Sequence, residues 1–425
     1  MNQQIKNIYK RLKKSKDARA LVANFGYLSL LQIAGYVFPL ITIPYLSRII
    51  GVEGFGKIAF ASAVIVWIQT FADWGFTYTS TRDVAKNREN IDVVSEIFSR
   101  VLWARCFLMI ISFFILLVIV MIIPVFRENS DVIFVTFLMI PGHIMCPDWF
   151  FQAVERMKYI TILNIISKFL FTILVFLFIK EKDDYILQPL FVSLGFVSSG
   201  IIAMYFILVR WKVRLTFVSF SLVLKTIKYS ADIFVNTLMP NLYNSLSTIL
   251  LGFWGGEIAN GLLDAGRRFY QIMYQFLDII SRVFFPFLSR KEDKHGLFAK
   301  MYFIISCLAA LFLFVSSSFL IDIFYGDNFK DAVIVLRILA ISIPFLVMQS
   351  IYGRNYLLII GYEKEVRNIT VVSSVIGFTI AIPLVYFFSY VGCACVLLST
   401  NVILGLLLMI KGVKIKNKRL YERKN

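Results

Sequence analysis

Long apolar stretches alternate with short polar ones along almost the whole chain. Each apolar stretch is close to the roughly 20 residues that a helix needs to cross a bilayer. Charged residues, Gly or Pro separate the stretches. We therefore predict an all-α integral membrane protein with twelve transmembrane helices, at about 20–47, 58–81, 101–123, 132–154, 159–179, 186–209, 229–252, 257–288, 301–322, 333–359, 368–388 and 391–410.

Composition supports this prediction and excludes several classes of protein. Of the 425 residues, 59% are hydrophobic and 16% are charged, whereas a soluble domain has about 25% charged residues. The loops are too short for a large soluble catalytic domain, and we predict no catalytic residue. The five cysteines lie in apolar runs without a C-x-x-C pair, and His143 and His295 are far apart. We therefore expect no disulfide framework and no metal site.

The net charge of +18 reflects membrane topology. If the N-terminus is cytoplasmic, 31 of the 44 Lys and Arg residues face the cytoplasm, nine face outward and four lie within spans. Such a bias is the usual orientation signal of membrane proteins. It places both termini in the cytoplasm and accounts for most of the charge, so we expect no nucleic-acid partner.

The two halves of the chain look related. The first span ends with LSRIIG at 46–51 and the seventh with LSTILLG at 246–252, and each has a proline seven or eight residues before the serine of this segment. This pattern predicts parallel repeats, although chance similarity between apolar helices is the alternative. The predicted domains are a basic amphipathic tail that lies on anionic membrane lipids, an N-lobe, a cytoplasmic linker, a C-lobe and a basic cytoplasmic tail, at 1–19, 20–209, 210–228, 229–410 and 411–425.

The eighth span carries the clearest polar pattern. Six polar residues at steps of 4, 3, 4, 3 and 4 lie on one helical face, with Arg267 adjacent: Asp264, Arg268, Gln271, Gln275, Asp278 and Arg282. A charge near the bilayer centre costs at least about 2.5–3.5 kcal/mol. The stripe must therefore face a cavity or pair internally, for example Asp278 with Arg282.

Other spans carry weaker polar faces around Asp73, Lys168 and Asn236. We predict that one aqueous cavity serves these faces and the eighth span, although a buried structural ion pair is the alternative for a single charge. The candidates for cavity lining or ion coupling are Asp73, Lys168, Asp264, Asp278 and Arg282. Arg105 and Arg354 lie near span ends and are interpreted as interface anchors or gate contacts. No motif for ATP or another cofactor is present, so we predict no cofactor and leave H⁺ or Na⁺ coupling open.

Three further segments have a distinctive sequence: PLITIPYLSRIIGVEGFG at 39–56, DWGF at 73–76 leading to TRDVA at 81–85, and DWFFQAVE at 148–155. They resemble the bacterial O-antigen and polysaccharide repeat-unit flippases of the multidrug, oligosaccharidyl-lipid and polysaccharide exporter superfamily. The resemblance implies two six-helix lobes around a central cavity in the bacterial inner membrane. It also implies an undecaprenyl-pyrophosphate-linked oligosaccharide as substrate, moved from the cytoplasmic to the periplasmic leaflet, and a polysaccharide polymerase and chain-length machinery as partners.

The resemblance also implies a binding site. In similar flippases, arginines at the end of the first span and on the eighth span bind the anionic head group. The matching residues here are Arg48 and either Arg267 or Arg268. A guanidinium can bind pyrophosphate oxygens bidentately, while Asn236, Gln271, Gln275 and Tyr243 could bind sugars. No covalent step is required, so the protein is not expected to be an enzyme.

Three other functions fit the sequence less well. An ion-coupled drug or cation antiporter of the same superfamily would favour a cavity rich in carboxylates. Here the Lys and Arg residues placed within spans outnumber the comparably placed aspartates by five to four. A membrane glycosyltransferase or polymerase would need a larger external loop than residues 323–332. A channel fits twelve kinked spans in two related halves less well than a transporter.

We predict that both termini and the segments near Lys86, Lys212, Lys294 and Lys364 face the cytoplasm, because basic loops are retained there. Fusions to a reporter enzyme that is active only in the periplasm should be inactive at each of these positions. Periplasmic activity at residue 212 or at the C-terminus would contradict the twelve-span topology.

Overall fold

The computed structural model describes residues 16–290 and 292–422. Residues 1–15 of the predicted amphipathic tail lie outside this part of the chain. The described residues form fifteen α-helices and no strand: α1 Lys16–Asp73, α2 Phe76–Lys86, α3 Ile91–Ile122, α4 Pro124–Glu128, α5 Ser130–Phe137, α6 Met139–Met145, α7 Asp148–Ala153, α8 Met157–Phe178, α9 Leu187–Met204, α10 Phe220–Leu238, α11 Asn241–Trp254, α12 Gly256–Arg290, α13 His295–Tyr325, α14 Ala332–Met348 and α15 Glu363–Glu422. Two π-helical segments, Tyr205–Arg210 and Gln349–Leu358, continue α9 and α14.

Helices α1 and α15 each contain two of the predicted spans. Their 58 and 60 residues would form straight rods roughly 90 Å long, about three times the hydrocarbon thickness of a bilayer. Helix α1 bends at Gly51, where φ is +64°, and α15 bends at Ser389, where φ is +51°. A Cβ atom added at Gly392 would meet the Leu384 carbonyl, so α15 folds back on itself around Ser389.

The all-α membrane architecture is confirmed. Nine helical segments of the described residues are long and apolar enough to cross a membrane. Dividing α1 and α15 at their bends adds two spans. Helices α10 and α11, which meet at Pro240, supply the remaining span of the predicted twelve.

The chain forms two compact units that interleave in sequence. Among the described residues, the first unit contains those up to Thr42 and Ile68–Phe234. The second contains Ile43–Trp67 and those from Val235 onward. The end of the first predicted span and the first ten residues of the second therefore belong to the same unit as α12.

Aromatic packing around α7 forms the core of the first unit. Trp149, Phe150 and Phe151 are all buried, and the Phe150 ring lies 5.3 Å from that of Phe98 on α3. The Phe151 ring stacks on Tyr159 of α8 at 5.6 Å. The DWFF segment therefore joins α3 and α8 through one apolar cluster.

Small residues allow α1 to approach α12 closely in the second unit. A Cβ atom at Gly56 would meet the backbone of Glu257, and one at Gly261 would meet the carbonyl of Val52. Such contacts between small residues let membrane helices pack backbone to backbone. They hold the chain just after Arg48 against the helix that carries Arg267 and Arg268.

We predict that Gly56→Ala destabilises the protein by about 1–3 kcal/mol, because the new methyl group would push against backbone that cannot rotate away. Gly35→Ala is the control: it lies on the same helix with no atom within 4 Å of its added Cβ. That change should be neutral or stabilising by up to about 1 kcal/mol. Thermal unfolding of the detergent-solubilised variants would measure both, and equal melting temperatures would contradict the close packing.

Candidate functional site

Helix α12 carries the whole predicted polar stripe. Gln271, Gln275 and Arg282 are exposed, and Asp264 and Arg268 are half-buried. Asp278 is buried. The stripe therefore presents two neutral amides with an aspartate and an arginine on either side.

Both aspartates of α12 bind arginines. The Arg268 Nε donates to Asp264 Oδ2 at 3.0 Å, and the Arg282 Nε donates to Asp278 Oδ2 at 2.6 Å. The second is the i,i+4 pair named as an alternative from the sequence, and the first has the same spacing. Arg354 donates to the other Asp278 oxygen, Oδ1, so two guanidinium groups share the single negative charge of Asp278.

Arg354 is positioned by the π-helical segment Gln349–Leu358. Its neighbour Asn355 donates from Nδ2 to Ser281 Oγ of α12 at 2.8 Å, and Gln349 donates from Nε2 to Asn401 Oδ1 at 3.1 Å. π-Helical turns often occur at functional sites. The sequence interpretation of Arg354 as an interface anchor or gate contact missed this ion pair, because no local pattern marks the π-helix.

Arg267 has different hydrogen-bond partners from Arg268. Its Nη1 donates to Thr248 Oγ1 at 3.2 Å and its Nη2 to Asn244 Oδ1 at 3.5 Å, both on α11. Its Nε is buried with no hydrogen-bond partner. Within residues 16–290 and 292–422, no carboxylate forms an ion pair with it at 4.0 Å or less. Neutral groups therefore orient this guanidinium, and Asp264 acts on its charge only from beyond ion-pair distance.

Arg48 lies in the same unit and is exposed. The preceding residue, Ser47, donates from Oγ to the Phe324 carbonyl at 3.1 Å. The Phe324 ring lies 5.3 Å from that of Phe269, which follows Arg268 in α12. These contacts bring the end of the first predicted span to the arginine-bearing turn of α12.

A second charged cluster lies in the first unit around Asp73. Arg105, whose side chain is only 4% exposed, donates to Asp73 Oδ1, and His143 Nε2 lies 3.3 Å from Asp73 Oδ2. His143 also lines a small cavity with Cys146, Asp148 and residues of α8 and α9. The sequence interpretation of Arg105 as an interface anchor or gate contact did not include this buried ion pair with Asp73.

The remaining predicted residues are placed as follows. Lys168 is half-buried on α8, and no carboxylate of the described chain lies within ion-pair distance of it. Tyr243 is buried, whereas the side chain of Asn236 lies outside the described part of the structure. The described residues contain no group of three His, Cys, Asp or Glu side chains that could hold a metal ion.

Sequence comparison finds similar bacterial proteins. A family model described as polysaccharide biosynthesis protein matches residues 21–292. A protein of Escherichia coli strain K12 named "Putative O-antigen transporter" is 27% identical, covering 92% of this chain and 96% of its own. A Shigella dysenteriae protein with the same name is 26% identical, covering 92% of this chain and 99% of its own.

Two solved structures have a similar fold. The lipid II flippase MurJ in its inward closed conformation matches with a TM-score of 0.70 and 14% identity, covering 90% of this chain and 87% of its own. An inward-facing multidrug resistance MATE transporter of the MOP superfamily matches with a TM-score of 0.63 and 14% identity, covering 94% and 99%. The resemblance seen in the sequence is confirmed, and the chain belongs to the family of polysaccharide biosynthesis proteins.

Proposed function

We propose that this protein is a flippase of the bacterial inner membrane. It moves an undecaprenyl-pyrophosphate-linked oligosaccharide, such as an O-antigen repeat unit, from the cytoplasmic to the periplasmic leaflet. The family, the names of the two relatives and the MurJ-like fold support this proposal. Translocation breaks no covalent bond, so the protein acts as a transporter that supplies a periplasmic polymerase and its chain-length machinery.

The absence of an ion pair at Arg267 in the described chain carries the proposal. Arg105, Arg268, Arg282 and Arg354 each bind an aspartate, whereas the partners that the described residues give Arg267 are a hydroxyl and an amide. A pyrophosphate can supply the missing negative charge and accept two parallel hydrogen bonds from one guanidinium. Arg267 is therefore the primary phosphate ligand, and Arg268 is the neighbour held by Asp264.

Other residues of the second unit complete the substrate site. Arg48 is exposed and bound to no carboxylate of the described chain, so it is available to the second phosphate. Gln271 and Gln275 follow Arg267 by one and two turns and are exposed. Their amides can donate to and accept from sugar hydroxyl groups. A cation antiporter is less consistent with this face, because both its aspartates already bind arginines.

We also propose that the cluster around Asp73 couples transport to a proton gradient. An imidazole can accept and release a proton, and the cluster places His143 beside Asp73, with Arg105, Asp148 and Cys146 close by. Protonation of His143 would strengthen its contact with Asp73, which Arg105 also binds. Lys168, on the neighbouring α8, is a further candidate for this coupling.

Replacing Arg267 by Ala should weaken substrate binding by about 1.5–3 kcal/mol, which is about tenfold or more. Arg267→Lys should rescue only in part, because it keeps the charge but loses the planar fork. Arg48→Ala should also reduce export. Surface polysaccharide would be measured in a flippase-deficient strain at matched membrane abundance.

Arg337→Ala is the matched control for the Arg267 variants. Arg337 is a membrane arginine of the same unit that donates to Ser317 and lies over the Phe314 ring. The Arg337→Ala variant should export surface polysaccharide at close to the wild-type level. Full export by both Arg48→Ala and the double Arg267→Ala, Arg268→Ala variant would refute the site.

His143→Gln should abolish stimulation of transport by an inward proton gradient while substrate binding is kept, because glutamine can bind Asp73 but cannot carry the proton. Uptake of a lipid-linked oligosaccharide analogue into proteoliposomes would be compared with and without the gradient. Asp232→Asn, which changes an exposed carboxylate of the first unit, is the control. An undiminished response in His143→Gln would place the coupling elsewhere.

A further inference from the structure

A cavity of about 360 Å³ lies in the second unit, apart from the polar stripe of α12. The start of α13, the π-helical segment and the end of α15 form it, with His295, Lys300, Phe303, Tyr352, Tyr356 and Lys416 among its lining residues. Its volume is within the range of small-molecule sites. The proposed transport function uses none of these residues.

The cavity is positively charged, and its described lining residues include no carboxylate. Lys416 is half-buried, and its Nζ lies 3.5 Å from the position of a Cβ atom added at Gly296. Neither Lys416 nor Lys300 has a carboxylate within ion-pair distance in the described parts of the chain. The lining residues His295 and Gly296 begin α13, where unpaired amides add positive potential. An anion is therefore the expected ligand.

His295 adds a second requirement for that ligand. The side chain is 3% exposed, and its Nε2 lies 3.1 Å from the Ile351 carbonyl oxygen. A carbonyl only accepts, so Nε2 carries the proton and Nδ1 of the neutral ring is an acceptor. This Nδ1 is buried without a hydrogen-bond partner. The ligand should therefore bring a donor such as a hydroxyl group.

Apolar surface next to the cavity indicates that the anion belongs to a lipid. Phe303 of α13 lines the cavity beside Lys300, and Met409 and Val413 of α15 line it beside Lys416. Val413 is also 41% exposed. These residues can contact acyl chains, which a soluble phosphate lacks.

We propose that this cavity binds the head group of an anionic phospholipid that carries hydroxyl groups, with phosphatidylglycerol as its simplest ligand. The phosphodiester lies between Lys300 and Lys416, and a glycerol hydroxyl donates to His295 Nδ1. The lipid stays bound while the transported substrate uses the separate site on α12. Clusters of basic residues near the membrane surface commonly bind anionic lipids in this way.

The test uses the purified full-length protein and phosphatidylglycerol, with retained lipid counted by native mass spectrometry. Lys300→Gln with Lys416→Gln should weaken binding about thirtyfold, since one lysine contributes roughly fivefold near an anionic surface. The control is the double variant Lys364→Gln with Lys414→Gln, which removes the same charge from exposed positions outside the cavity. It should retain phosphatidylglycerol as the wild-type protein does.

Gly296→Leu tests the cavity without changing its charge. Apart from Lys416 Nζ, no atom lies within 4 Å of the added Cβ, so the side chain should displace lipid and leave the fold intact. Equal retention in wild type, Gly296→Leu and the cavity double-lysine variant would overturn the proposal. Displacement of phosphatidylglycerol by inorganic phosphate at equal concentration would also overturn it, because the site would then bind the phosphate alone.

Discussion

The cost of placing charge in a membrane constrains the whole arrangement. An unpaired buried charge is strongly destabilising, and hydrocarbon offers no water to screen it. Arg105, Arg268, Arg282 and Arg354 all meet this constraint by binding aspartates. Because Asp264 binds Arg268 and Asp278 binds two arginines, neither aspartate of α12 forms an ion pair with Arg267. Its lack of an ion pair is thus a property of the whole polar network.

The packing of α1 against α12 places Arg48 in the same unit as this network. Residues Ile43–Trp67 belong to the second unit although their neighbours on both sides belong to the first. Gly56 and Gly261 permit this placement by removing side chains at the closest points of contact. The bend at Gly51 lies between these contacts and Arg48. The family-like segment at 39–56 therefore joins a proline-containing helix to the face of α12 and carries an arginine at the junction.

Much of the fold follows from the sequence, because apolar runs of membrane length and their polar punctuation are local signals. The pairs Asp264–Arg268 and Asp278–Arg282 were also predictable, since i,i+4 spacing brings them together on any helix. The ion pairs of Arg105 and Arg354 were not. Their aspartates are 32 and 76 residues away, and one of them depends on a π-helix. His143 gave no signal either, because one histidine in an apolar run is usually a packed core residue.

The two units differ in the kind of charge that they retain, and this difference suggests separate roles. Both contain an aspartate bound by an arginine from another helix, Asp73 with Arg105 and Asp278 with Arg354. In the first unit the third partner is His143, whose imidazole can accept and release a proton. In the second unit the third partner is Arg282, whose charge is permanent, and Arg267 adds a further fixed charge on the same helix. An imidazole suits the proposed coupling to protons, whereas fixed guanidinium groups suit the proposed pyrophosphate-linked substrate.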